Sequence, residues 1–200
     1  LQNAVDQVKI GGKIYLGLID GILTVANTGI PFSFDGVKSL MKSNLSPKRE
    51  NQNTIGQKGL GFRSLLNWSN DISIFSNGLS IRFSEQYRKK FFEEAGINEK
   101  TALLVAPEVI ESINMEDFDT IIKIKISDTS KTSEVKRQIS EIDKFTLLFL
   151  DKITNLTVCI ENETTMFKRE SDQNVVVISE DDKDFCFDTF RKTGKIGEKN

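Results

Sequence analysis

The sequence predicts an α+β fold, a two-layer sandwich in which helices cover one face of a mixed, mostly antiparallel sheet. Asp20-Gly21 and Asn77-Gly78 each separate two β-rich runs, and an Asx-Gly pair in that position is the strongest short-range signal for a hairpin. Segments with helical periodicity lie between the strand pairs. Strand pairs joined by tight turns, with helices between them, favour a sheet covered by one helical layer.

The individual elements follow from local patterns. An apolar stripe predicts a helix over Leu1–Val8, and the two consecutive glycines that follow are expected to end it. Asn27–Ser33 is rich in turn formers, and the polar, aperiodic Asn44–Thr54 is predicted to be a loop. Periodicity predicts further helices over Asp35–Ser43, Gly59–Trp68, Glu85–Ala95 and Ser133–Ile142, and strands over Lys13–Ile19, Ile22–Ala26, Ile72–Phe75, Leu79–Phe83, Ala102–Ala106, Thr120–Ser127, Asn155–Glu161, Thr165–Glu170, Asn174–Ile178 and Phe185–Phe190.

Composition excludes several classes of protein. The 200 residues carry a net charge of −2, so no overall field attracts nucleic acid or an anionic membrane. Histidine is absent, which removes every Ser-His and Cys-His nucleophile pair. No apolar run approaches the ~20 residues that span a bilayer, so we expect a soluble, cytoplasmic protein with no membrane partner. The chain opens without Met, and we expect that residue 1 is not the natural start.

Cys159 and Cys186 lie in short apolar contexts without a CxxC motif. That spacing does not favour a metal site. We expect two buried thiols, with a single disulfide as the alternative.

Two polar motifs near the start of the chain have the chemistry of a nucleotide site. Asn3 and Asp6 lie about one helical turn apart, and an Asn carbonyl oxygen is a ligand for Mg²⁺. Asn27 and Gly29 follow a predicted strand, where an amide reads a base edge and a glycine admits a planar ligand. Taken alone, the first pair is more typical of a helix end and the second of an ordinary turn.

A glycine cluster and a threonine complete the candidate chemistry. A polar loop with Lys48 leads into Gly56, Gly59 and Gly61 and then into a predicted helix. Backbone N–H groups at such a helix start bind phosphate, although a glycine hinge is an equal alternative. Neither the P-loop pattern nor the dinucleotide fingerprint is present. Thr120 begins a strand of Ile and Lys and by itself is only a strand residue.

In this order and spacing, the motifs resemble the GHKL superfamily of ATPases, and within it the heat-shock-chaperone-like domain of the sacsin and No-vein branch. The resemblance covers roughly Leu1 to Ile160. The similar segments are LQNAVD for the N-box helix, NTGIPF for the first glycine box, SNLSPK for the lid, TIGQKGLGFRSLLNWSNDISIFS for the second glycine box with its hairpin, and FDTIIKIKI for the threonine strand.

The resemblance implies a Bergerat fold that binds ATP and Mg²⁺. In that reading Asn3 ligates Mg²⁺, Asp6 faces the nucleotide, Asn27 takes the position of the adenine-reading acid and Gly29 packs beneath the base. The remaining implied nucleotide contacts are Ser46 and Lys48 in the lid, Lys58 as an extra phosphate contact or a solvated lysine, Gly59, Leu60, Gly61 and Phe62 in the second glycine box, and Thr120, which reaches adenine through water.

Two departures from the family pattern concern base reading and turnover. Most members have Asp where this chain has Asn27, and a second Gly where it has Pro31. An amide donates as well as accepts, so base discrimination is expected to be looser, while ATP still binds. The family's general base is a Glu one turn before the Mg²⁺ Asn, which falls upstream of Leu1. We therefore expect no catalytic residue within the chain and slow hydrolysis at most.

The leading hypothesis is an ATP-driven switch in which Mg²⁺ and ATP order the lid, and further domains or a second protomer receive the change. Residues 1–160 are the predicted ATP-binding domain, with 161–200 as an extension or the start of a following segment. The alternative is a nucleotide-binding or protein-interaction module without turnover. The only support for nucleic-acid binding is two basic runs, Arg88-Lys89-Lys90 and Lys48-Arg49. Each is more typical of a solvated face, so no nucleic-acid partner is expected.

Overall fold

The computed structural model describes residues 2–42, 62–97, 101–115 and 117–189, with side chains from residue 4 onwards. Its strands are β1 Gly12–Ile19, β2 Ile22–Asn27, β3 Asp71–Ser76, β4 Leu79–Ser84, β5 Glu108–Val109, β6 Thr120–Lys125, β7 Ile153–Ile160, β8 Glu163–Asp172, β9 Val175–Glu180 and β10 Lys183–Asp188. Its helices are α1 Gln2–Gln7, α2 Phe34–Lys42, α3 Glu85–Glu94, α4 Thr129–Ser140 and α5 Lys144–Leu148, with 3₁₀ helices at Ser64–Asn67 and Leu103–Val105.

The strands form one mixed sheet of ten strands in the order β10-β9-β8-β7-β1-β2-β6-β3-β4-β5. β1 and β7 run parallel, and the other neighbouring pairs are antiparallel. The α+β class and the mixed, mostly antiparallel sheet are therefore confirmed. β6 is inserted between β2 and β3, so residues distant in sequence lie side by side at the centre of the sheet.

One face of the sheet carries the main core and the helical layer. Leu16 and Leu18 of β1 belong to the same buried cluster as Val37 of α2, Val135 of α4 and Leu147 of α5. Alternation along each strand explains this, because every second side chain points to the same face. The faces of the helices that meet the sheet are apolar for the same reason.

The opposite face has a smaller core without a helix in the described residues. Ala26, Phe75 and Ile121 are buried there beneath the segment that follows β5, with Ile113 and Phe118 packed against them. Tyr15 lies on this face with its ring centroid 6.4 Å from that of Phe118. We call this side of the sheet the open face.

The protein is expected to lose stability at high pH because buried Tyr15 resists ionisation. Burial, with a smaller contribution from a hydrogen bond to Cys159, raises the pKa of Tyr15 to about 12. The unfolded chain ionises near the ordinary value of about 10, so the stabilisation is complete below that pH and is lost as pH rises toward 12. In a pH titration followed by phenolate absorbance, wild type should show one ionisation at high pH that Tyr15→Phe lacks. A Tyr15 midpoint at the ordinary value would contradict the prediction.

Both predicted hairpins are confirmed. β1 and β2 pair through Ile19↔Ile22, and the turn residues Asp20 and Gly21 have φ values of 49° and 72°. Two positive φ values define the turn whose twist matches a hairpin, which is why Asp-Gly predicts it. β3 and β4 pair through Ser76↔Leu79 around Asn77-Gly78, a turn in which Gly78 alone has a positive φ, of 76°.

The predicted strand Ala102–Ala106 is wrong. The segment is a 3₁₀ helix at Leu103–Val105 that packs against α2 and β4, and Leu104 is fully buried. An apolar run this short buries itself equally well as a strand or as a turn of helix, so periodicity does not separate the two. The edge strand β5 instead follows Pro107.

An Asp caps each of two neighbouring helices, and the first of them begins earlier than predicted. α4 begins at Thr129, where the Asp128 carboxylate accepts the Lys131 N–H at 2.8 Å. The apolar segment after it is the short helix α5, capped by Asp143, which accepts from Phe145 N at 3.0 Å.

In the predicted helix Gly59–Trp68, the described part is helical at residues 62–63 and 3₁₀ from Ser64. The predicted loop Asn44–Thr54 lies outside the described residues.

The last three strands extend the same sheet. β8 pairs with β7, and Phe167, Val176 and Ile178 belong to the main core.

Cys159 is buried as predicted, but Cys186 is exposed because it lies on the outermost strand and points to the open face; both thiols are free. None of the helices described is both long and apolar enough to cross a membrane.

Candidate functional site

A row of polar side chains interrupts the helix-covered face at one end of the sheet. Asn27 ends β2 and pairs with Thr120, which begins β6, and Thr120 pairs with Ser76, which ends β3. Two residues further along, the same face carries the apolar Val25 and Ile74. Asn27 and Thr120 are each 4% exposed and Ser76 is 3% exposed. We call these three residues the polar row; side chains buried this deeply need hydrogen-bond partners.

The turn after β2 folds over the polar row and supplies one of its partners. The Phe32 N–H donates to Ser76 Oγ at 2.8 Å and also approaches Thr120 Oγ1 at 3.3 Å. Ser76 Oγ donates to Asp119 O at 2.9 Å and lies 3.0 Å from Thr120 Oγ1. One network therefore joins the turn, the end of β3 and the start of β6.

Asp119 attaches the glycine of this turn to β6. The Gly29 N–H donates to Asp119 Oδ2 at 2.8 Å, and the Asp119 N–H donates to Asn27 O at 3.0 Å. A carboxylate is a stronger acceptor than a neutral oxygen, so this contact holds the turn firmly. The position of Gly29 is thus determined by the strand that carries Thr120.

Gly29 also lies directly against α1. Its φ is 125°, and the next residue, Ile30, donates its N–H to Gln7 O at 2.9 Å. A Cβ at Gly29 would lie 2.3 Å from that same oxygen and 2.9 Å from Val8 Cα. The space that a side chain would need is therefore occupied by the backbone at the end of α1. The glycine allows this close packing, whereas the sequence suggested room for a planar ligand.

The Asn27 amide has a defined orientation. Its Nδ2 donates to Thr28 O at 3.1 Å, and because a carbonyl oxygen cannot donate, the nitrogen end of the amide must face it. Among the described residues no group donates to Asn27 Oδ1. The residue thus places in the polar row an acceptor that has no partner in the described part of the chain. Such an acceptor gains free energy when a ligand donor reaches it.

The remaining predicted site residues fall into two groups. Phe62 is buried beneath the turn, with its ring centroid 6.4 Å from that of Phe32. Asn3 and Asp6 lie in α1, which the Gly29 contact places beside the same turn, and Asp6 is exposed. The structure therefore brings α1, Asn27, Gly29 and Thr120 to one end of the sheet. The predictions for Ser46, Lys48, Lys58, Gly59, Leu60 and Gly61 lie outside the described residues.

Sequence reasoning missed Ser76 and Asp119. Ser76 falls on the inward side of a strand whose other inward residues, Ile72 and Ile74, are apolar. A polar residue that breaks inward apolar alternation was an available signal. Asp119 had no such signal, because its partner Gly29 lies 90 positions away in sequence.

No family model and no curated protein matches the chain. The function is therefore inferred from the geometry of the site. In the described part of the chain, no three carboxylate or thiol side chains gather into a metal site. Magnesium would thus need oxygens from elsewhere, as it does where nucleotide phosphates and water supply most ligands.

Two cavities among the described residues lie away from the polar row. The smaller, about 190 Å³, is lined by Asn70, Glu85 and Arg88 and lies where β3 begins and β4 ends, opposite to Ser76. The larger, about 430 Å³, lies between Trp68 and Lys131 at the start of α4. Neither cavity is lined by a residue of the predicted nucleotide site.

Proposed function

We propose that this chain binds an adenine nucleotide together with Mg²⁺ and acts as an ATP-driven switch of the GHKL type. The observation that carries the proposal is the buried cross-strand pair of Asn27 and Thr120, which offers, beside a hydroxyl, an acceptor that no described residue occupies. A polar side chain on a nearly buried residue gains a hydrogen bond when a ligand donor reaches its free acceptor. The finer fold assignment, a Bergerat ATP-binding domain, is part of the same proposal.

The donor set of the polar row fits adenine. The exocyclic amine of adenine is a donor, and Asn27 Oδ1 is an acceptor on a side chain whose residue is only 4% exposed. In water-excluded surroundings such a hydrogen bond contributes about 1–3 kcal/mol relative to leaving the acceptor unpaired. Because Nδ2 donates to Thr28 O, the neutral amide presents the same acceptor that a carboxylate would present.

The phosphate end of the proposed site involves α1 and the glycine-rich segment. Gly29 holds α1 against the turn, so Asn3 belongs to a helix adjacent to the polar row. In this proposal Asn3 ligates Mg²⁺, and Gly59 and Gly61 offer backbone N–H groups to the phosphates. Bound Mg²⁺ would neutralise the charge of the phosphate oxygens.

The proposed output is closure of the loop at Asn44–Thr54. ATP and Mg²⁺ order the lid through Ser46 and Lys48, and slow hydrolysis releases it. Further domains or a second protomer then receive the change, in the way that γ-phosphate contacts control switch loops in other nucleotide-binding proteins.

Loss of the Asn27 acceptor is expected to weaken nucleotide binding. Asn27→Leu keeps the approximate volume but removes the acceptor, so the affinity for Mg²⁺-ATP should fall at least about tenfold. Calorimetric titration of the folded proteins measures this directly. Asn155→Leu is the matched control, because it alters a half-buried Asn on the open face of the same sheet. Wild type without affinity for Mg²⁺-ATP, or equal affinity in wild type and Asn27→Leu, would refute the proposal.

The magnesium assignment needs its own variant. Asn3→Ala should weaken ATP binding only when Mg²⁺ is present, because the amide acts through the metal. Titration with and without Mg²⁺ separates this effect from a general loss of structure. An equal loss in both conditions would remove Asn3 from the proposed metal site.

A further inference from the structure

Ser76 donates to one partner only, because its hydroxyl has a single proton. The contact from Ser76 Oγ to Asp119 O at 2.9 Å uses that proton, since a backbone carbonyl only accepts. The Phe32 N–H at 2.8 Å occupies one lone pair of the same oxygen, since a backbone N–H only donates. Ser76 Oγ is left with one position at which it accepts.

Thr120 must therefore be the donor in its contact with Ser76. The two hydroxyl oxygens are 3.0 Å apart, and the Ser76 proton is already on Asp119 O. With its own proton directed at Ser76, Thr120 Oγ1 can only accept. An unconstrained threonine hydroxyl rotates and either donates or accepts. The contact with Ser76 therefore restricts the Thr120 hydroxyl to accepting hydrogen bonds from a ligand.

We infer that Ser76 is a positioning residue for base selection, because it holds Thr120 as an acceptor. The inference rests on the proposed nucleotide site. A base that presents an amine toward Thr120 and Asn27 Oδ1 meets two acceptors, whereas a base that presents a carbonyl oxygen meets oxygen facing oxygen. The polar row therefore favours a 6-aminopurine over a 6-oxopurine, through a residue that need not touch the base.

A bridging water does not remove the selectivity. A water bound to both Asn27 Oδ1 and Thr120 Oγ1 donates one hydrogen bond to each of them and has no further proton to donate. It then offers the base only lone pairs, which again accept from an amine and repel a carbonyl oxygen. If Thr120 were free to donate, the same water would keep a proton for either kind of base.

The test compares ADP with IDP, which differ at the 6-position of the purine. Calorimetry with Mg²⁺ should show that wild type prefers ADP by about tenfold or more, as expected for one mismatched buried hydrogen bond. In Ser76→Ala the Thr120 proton is released, so the preference should shrink to about threefold or less. Ser76→Cys, a weak donor and acceptor, should change the preference in the same direction and replaces Ser76→Ala if that variant does not fold.

Two further variants separate selection from stability. Ser69→Ala removes another serine that is 3% exposed, whose Oγ lies 2.8 Å from Asp71 O and 2.6 Å from Lys125 O near the opposite end of β3. This variant should lose stability but keep the wild-type preference. In a Thr120→Val background, Ser76→Ala should have no further effect on the preference, because the hydroxyl through which Ser76 acts is gone.

The outcomes distinguish this inference from the proposed function. Wild type that binds neither nucleotide refutes the nucleotide site itself. Wild type that binds ADP and IDP equally, or Ser76 variants that keep the full preference, leaves the site standing and overturns the role of Ser76. An effect of Ser76→Ala that persists in the Thr120→Val background overturns it as well.

Discussion

Gly29→Ala is expected to lower the free energy of unfolding by about 3–5 kcal/mol, combining backbone strain with a steric clash. The φ of 125° lies in a region that side chains rarely adopt. The added methyl would lie 2.3 Å from Gln7 O, a backbone atom that moves only if α1 moves. Urea unfolding measures the loss, and we also expect α1 to detach from the turn.

Gly21→Ala is the matched control for this prediction. Gly21 has a positive φ of 72°, but nothing lies within 4 Å of an added Cβ. The control should cost only about 1–2 kcal/mol, from left-handed backbone strain alone. The difference between the two variants isolates the contact between Gly29 and α1. If both variants lose the same stability, α1 does not pack on the turn as described.

Phe83→Ala should destabilise the fold by about 3–5 kcal/mol, the range for emptying a fully buried aromatic position. Phe83 is 0% exposed and lies on the helix-covered face of β4, opposite Ile72 on β3. Removing the ring leaves a cavity in the main core that surrounding side chains fill only in part. Chemical denaturation, with the slope of the transition compared between proteins, measures the loss.

Phe149→Ala gives the reference for this substitution. Phe149 is 81% exposed, so its removal should change stability by less than about 0.5 kcal/mol. A large effect at Phe149 would show that its ring is buried against something outside the described residues. A small effect at Phe83 would contradict its placement in the core.

The hairpins were predictable because their cause is local. Asp20-Gly21 and Asn77-Gly78 adopt turn conformations that few other residue pairs adopt at low cost. The cap residues Asp128 and Asp143 were equally visible in the sequence. The predicted start of α4 came too late because its first turn, residues 129–132, is polar and shows no apolar periodicity. The strand predicted at Ala102–Ala106 failed because burial of Leu104 is decided by α2 and β4, which are distant in sequence.

The candidate site was predictable in part. Asn27 and Thr120 were singled out separately, and each had a plain structural explanation when taken alone. Their pairing depends on β6 entering the sheet between β2 and β3, which no local pattern specifies. The same insertion brings Ser76 to Thr120, so the roles of Ser76 and Asp119 follow from topology.

The sequence by itself determined the α+β class, the hairpin turns and which strand faces are apolar, because these depend on neighbours a few residues apart. Only the tertiary structure decided the strand order, the packing of α1 against Gly29 and the direction of the hydroxyl protons in the polar row. Those features depend on groups that are distant in the chain and meet only when the sheet is complete, and a hydroxyl has no preferred role until its neighbours are in place.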